Sequence, residues 1–131
     1  MKNKFADAIM RGSAHYKLRY LIKELKDAIS EDEDMKDRPT FFYLIYSHII
    51  HMLALGHDAK DITYFLKNLS GLELDDKAIR FHIKNAKSKY KDFIELMEAI
   101  YCDRYRDFLD LGASEDEAVA CFNDWITSEL T

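Results

Sequence analysis

The feature that most restricts the fold of this chain is how rarely anything interrupts a helix. Its 131 residues include one proline, Pro39, and four glycines, Gly12, Gly56, Gly71 and Gly112. Glycine weakens a helix interior and proline breaks it, so these positions are natural joints. The long stretches between them favour long elements and short connections over many strands.

Within those stretches apolar residues recur at helical spacing. Over 14–29, Leu18, Leu21, Ile22, Leu25 and Ile29 form one stripe, with Lys17, Arg19, Lys23 and Lys26 on other faces. A short helix carrying Phe5, Ala8 and Ile9 is expected before it, ending near Gly12. "SEDEDMKDRP" (30–39) collects acids in an expected solvated loop, and Pro39 suits the first turn of the next helix, where its missing N–H is not required. "FFYLIYSHIIHMLAL" (41–55) is the most apolar segment, interrupted by Ser47, His48 and His51. It falls short of the ~20 apolar residues a membrane span needs and reads as a buried helix.

Gly56 stops that helix and Asp58 caps the next, with Asp61 as a short stand-in for the glutamate of a capping box. In "AKDITYFLKNL", Ile62, Phe65, Leu66 and Leu69 share a face. "SGLEL" (70–74) turns the chain, with Gly71 able to take positive φ, and Asp75 or Asp76 caps a fourth long helix. From Ile79 through Ile83, Ala86, Tyr90, Phe93 and Met97 to Ile100, apolar residues alternate spacings of four and three, with no Gly or Pro before Gly112. This predicts a long fourth helix whose stripe faces the core or pairs with a second subunit. Residues 53–69 also align with 109–125 at an offset of 56, matching Gly56 to Gly112 and Asp58 to Ser114. Both read as helix, glycine stop, polar cap, helix. The expected architecture is a single all-α domain of five or six helices.

Cys102 and Cys121 match no compact metal motif, and with no secretory signal at the start they point to a reducing, cytoplasmic setting. They are expected to be core thiols. His48, His51 and His57 lack the cysteine or carboxylate spacing of a zinc site and read as structural histidines. The acids Glu95, Glu98, Asp103, Asp107 and Asp110 read as a solvated face. Trp125 serves either the core or an interface. No glycine-rich phosphate loop, nucleophile elbow or Ser/His/Asp arrangement is visible, so the chain reads as a binding protein rather than an enzyme, with no metal or cofactor.

One segment breaks the charge pattern. "DKAIRFHIKNAKSKYK" (76–91) carries six basic residues and no acid from Lys77 to Lys91, in a chain of formal net charge −5. At 100° per residue, Ile79, Ile83, Ala86 and Tyr90 fall within about 60° of one another, while Lys77, Arg80, Lys84, Lys87 and Lys91 fill a separate arc of about 80°. Phe81, Asn85 and Ser88 lie among or beside these cations. Long cations reach phosphates and guanine edges, and Asn and Ser can hydrogen-bond bases, which is what a helix in a DNA major groove requires. Preceded by the short helix from 58 and a glycine-containing turn, it completes a helix-turn-helix unit, 58–91, with the second helix as reader.

The stretch "LGHDAKDITYFLKNLSGLELDDKAIRFHIKNAKSKY" (55–90) resembles the winged-less helix-turn-helix of small plasmid and mobile-element DNA-binding proteins. Gly56, Ile62, Leu66, Gly71, Leu74, Ile79, Arg80, Ile83, Ala86 and Lys87 stand at that family's positions. The resemblance implies sequence-specific binding of double-stranded DNA at repeated operator or transfer-region sites, often by homodimers, in a regulator or accessory factor of a plasmid or phage.

Together these readings predict contacts to DNA from Lys77, Arg80, Lys84, Lys87 and Lys91, base readout by Asn85 and Ser88, and a thymine-methyl contact from Phe81. Residues 93–131 are expected to support the unit and to dimerise. The competing expectation is a protein-interaction module or phage or plasmid effector, whose acidic loop (31–37) and aromatic helices engage a host protein.

Overall fold

The computed structural model describes residues 13–69 and 74–130. Among them are six helices: α1 (Ser13–Glu31), α2 (Pro39–Ala54), α3 (Ala59–Lys67), α4 (Asp76–Lys89), α5 (Lys91–Asp110) and α6 (Glu115–Leu130). No strand accompanies them among the described residues, and the fold is all-α. The expected helix around Phe5, Ala8 and Ile9 and the conformation of Gly71 lie outside the described residues.

Two joints fall where glycines predicted them. Gly56 adopts φ +89° and Gly112 φ +97°, conformations that L side chains resist. At the first, Gly56 N–H donates to Leu53 and His57 N–H to the Met52 carbonyl; Gly112 and Ala113 repeat the pattern onto Leu109 and Phe108. These paired bonds satisfy the last carbonyls of α2 and α5, which would otherwise lack partners. The following helices begin on their predicted caps. Asp58 accepts the Asp61 N–H at 2.9 Å, and Ser114 accepts the Glu117 N–H at 3.2 Å. Asp75, rather than Asp76, caps α4 by accepting the Ala78 N–H at 2.7 Å.

α2 and α5 form the centre of the packing. α2 lies against α1, α3, α4 and α5, while α5 also meets α1, α4 and α6. Ile45, Tyr46, Ile49 and Ile50 of α2 are fully buried with Leu18, Leu25 and Ile29 of α1. Burying an Ile or Leu side chain contributes roughly 1.5–3 kcal/mol, so this apolar centre dominates the stability. Trp125 resolves to the core, packed against Phe122 at 6.0 Å and Tyr101 at 6.5 Å between ring centroids. Among the described residues no helix is long and apolar enough to cross a membrane.

Three expectations need correction. The long fourth helix is two helices, because Tyr90 takes φ −114° and ψ 26° and ends α4 one residue before α5 begins. Its stripe nevertheless stays largely inside: Ile79, Ile83, Ala86, Tyr90, Met97 and Ile100 are buried and Phe93 is half-buried, so most of it faces the core. The acidic loop is not wholly solvated, since Asp32 and Met35 are buried. Cys102 is exposed instead of lying in the core, and Cys121 is half-buried.

Candidate nucleic-acid interface

The outward face of α4 follows from what holds its inward and lateral faces. Ile79, Ile83 and Ala86 are buried, packing α4 onto α2 and α3. To one side, the Asn85 amide donates to the Tyr46 hydroxyl at 2.9 Å, and that hydroxyl lies 2.8 Å from Nδ1 of His82. A Tyr46 hydroxyl that accepts from Asn85 and donates to Nδ1 pairs with a neutral His82 ring carrying its proton on Nε2. Burial lowers the His82 pKa, which agrees with a neutral ring. Two residues of α4 are thereby tied to a fully buried tyrosine of α2.

A second tie closes the far end. The Asp32 carboxylate accepts from the Tyr90 hydroxyl at 2.8 Å and from Lys89 Nζ at 2.6 Å, while its other oxygen accepts the Asp34 N–H at 2.9 Å. Burial would raise the Asp32 carboxyl, but these bonds outweigh it and hold the pKa below the ordinary value. The same partnership raises that of Lys89. The acidic loop therefore neutralises the last cation of α4 and fixes the joint with α5.

What remains outward is the predicted stripe. Lys77, Arg80, Lys84, Lys87 and Ser88 are exposed, and Phe81 is 63% exposed among them. Among the described residues, Lys77, Arg80, Lys84 and Lys87 have no carboxylate within 4.0 Å. Two predicted contacts sit elsewhere. Asn85 is half-buried with its amide engaged by Tyr46, so it orients the helix instead of standing open for a base. Lys91 belongs to the first turn of α5, 3.8 Å from Glu95.

α3 adds residues that the sequence reading passed over. Between α3 and α4 lies a groove of about 580 Å³ lined by Lys60, Tyr64, Lys67, Asp76 and Arg80. Tyr64 is 74% exposed, and Lys67 is held 2.8 Å from Asp76 across the turn. Lys60 and Lys67 recur at the i, i+7 spacing that puts both on the groove side of α3. Their signal was available in the sequence, but only the packing of α3 on α4 brings them beside Arg80.

The histidines take separate structural posts. His51 Nδ1 lies 2.7 Å from the Tyr101 hydroxyl, His48 packs on Phe65 at 5.3 Å between ring centroids, and His57 lies 3.6 Å from Asp61. Among the described residues no group of three or more His, Cys, Asp or Glu side chains is placed to hold a metal ion.

Comparison of the chain with protein-family models, with curated protein sequences and with solved structures finds no match in any of the three.

Proposed function

We propose that this protein binds double-stranded DNA sequence-specifically, with α4 in the major groove and α3 alongside the phosphate backbone. The observation that carries the reading is the outward stripe of Lys77, Arg80, Lys84 and Lys87. These cations are exposed, with no described carboxylate within 4.0 Å, on a helix whose other faces are tied down. Subtracting the six charges of 77–91 from −5 leaves a formal −11 on the rest of the chain. Such polarity orients a molecule on a duplex and keeps its remaining faces away from phosphate.

The roles divide by reach. Lys77, Lys84 and Lys87 contact phosphates, with Lys60 extending that footprint across the α3–α4 groove. Arg80 has the planar fork suited to a guanine edge, Ser88 can bond a base, and Phe81 meets a thymine methyl. Asn85 sets the rotation of the helix. The protein acts as a cytoplasmic regulator or accessory factor of the kind carried by plasmids and phages, as the likeness of 55–90 to their helix-turn-helix implies. Homodimerisation through 93–131 would set two reading helices on repeated sites.

The test is a charge reversal. Lys84→Glu with Lys87→Glu removes duplex binding while leaving helicity and melting nearly unchanged, because both side chains are exposed. Binding to random or source-genome duplex fragments that survives the double reversal would overturn the proposal.

A further inference from the structure

We propose that the groove between α1 and α5 is a docking site for a basic amphipathic helix of a partner protein. Its floor is apolar: Leu21, Phe93 and Ile100, flanked by Tyr20 and Leu96, enclose a recess of about 470 Å³. Tyr20 is 66% exposed and Leu96 54%, large apolar surfaces that the described residues leave uncovered. Contiguous apolar surface rimmed by polar groups marks a contact site on a soluble protein.

The rim chooses the occupant. Glu24 and Asp103 border the recess. Phe93 also lines a second recess of about 470 Å³, where Glu31, Glu33 and Asp34 stand. Lys89, the cation there, is already held by Asp32 at 2.6 Å, and Glu33 is paired with Lys36 at 2.8 Å. Glu24, Glu31 and Asp103 have no cation within 4.0 Å among the described residues. Phosphate and anionic lipid are repelled by such a rim. A two-fold contact between copies would set Glu24 and Asp103 against their own like charges. A helix with an apolar stripe and flanking Lys or Arg satisfies floor and rim together.

Its length is set by α1. From Tyr20 to Glu31 the two recesses lie along about 16 Å of helix at 1.5 Å per residue, so three turns of partner fill them. The second recess ends on Lys89 and Tyr90, at the joint of α4 and α5. An occupant would therefore lie beside the base of the basic helix without covering its outward stripe. The inference does not depend on duplex binding by that stripe.

The experiment titrates the isotopically labelled full chain with a synthetic helix of about fourteen Leu, Ala and Lys residues, long enough to hold a helix once bound. A second peptide with Glu in place of every Lys is the control. Saturable one-to-one binding of the Lys peptide is expected, with amide shifts centred on Tyr20, Phe93, Leu96 and Ile100, and none from the Glu peptide. Leu96→Glu, and separately Glu24→Lys with Asp103→Lys, should each weaken binding about tenfold or more, as loss of a central apolar or charge contact does. These side chains are exposed, so melting should be unaffected and binding remains the readout. Equal binding of both peptides, shifts centred elsewhere, or indifference to both variants would overturn the proposal. So would sedimentation as a dimer that Leu96→Glu converts to monomer, since the groove would then belong to a second copy.

Discussion

Asp75 accepts the Ala78 N–H at 2.7 Å, and that bond fixes where the basic helix starts. Replacing Asp75 by Ala should cost about 1 kcal/mol in urea denaturation and speed amide exchange in the first turn of α4. A cap of this kind is legible in the sequence because its chemistry is local, and Asp58 and Ser114 were legible for the same reason. Asn85 was not, since its partner Tyr46 comes from another helix 39 residues earlier. The histidines carry a pH prediction. Burial lowers His51 to about 4, with repulsion from His48 and His57 adding to it, and burial lowers His48 and His82 as well. These rings are neutral in the folded chain and protonate in the unfolded chain near 6.5. Stability is therefore fully present above about pH 6.5 and is lost as the pH falls toward 4, by up to about 3 kcal/mol for His51. Chemical denaturation across this range should show the slope, and His51→Gln should flatten it. Asp32, held low, extends the loss below the ordinary carboxylate range.

At the scale of the elements, what matters is the rotation of α4 about its own axis. Ile79, Ile83 and Ala86 set it coarsely by burial, and the Asn85–Tyr46–His82 bonds set it finely. Tyr46→Phe would leave the Asn85 amide and His82 Nδ1 without that partner, at a cost of about 1–3 kcal/mol. Hydrogen exchange should then show the loss of protection concentrated in α4 and the facing turn of α2. The joints at Gly56 and Gly112 could be read from the sequence, because few residues other than glycine adopt φ near +90°. The break at Tyr90 could not. No glycine or proline marks it, and it coincides with the tertiary bonds from the Tyr90 hydroxyl to Asp32 and to Met35 Sδ at 3.7 Å. For the same reason the acidic loop looked like a solvated tether, whereas Asp32 anchors it to the end of α4. Asp32→Ala should release residues 32–38, seen as faster amide exchange there, and should leave Lys89 with Asp34 alone, 3.8 Å away.

For the whole molecule, the organising fact is the segregation of charge. The cations of 77–91 stand out against a formal −11 elsewhere, and folding keeps four of them outward on one helix face. The apolar repeat from Ile79 to Ile100 does not compete for that role, because the core of the single chain absorbs all of it but the half-buried Phe93. The class of fold and the identity of the outward stripe could be read from periodicity. The contribution of α3 could not, because Lys60, Tyr64 and Lys67 acquire meaning only through the groove they share with Arg80. The most direct test is duplex affinity measured against salt concentration. If Lys60, Lys77, Lys84 and Lys87 reach about four phosphates, log K against log salt should fall with a slope near −3.6. Removing one of these cations should reduce the slope by about 0.9. An absence of duplex binding at low salt, or an affinity indifferent to salt, would contradict the account.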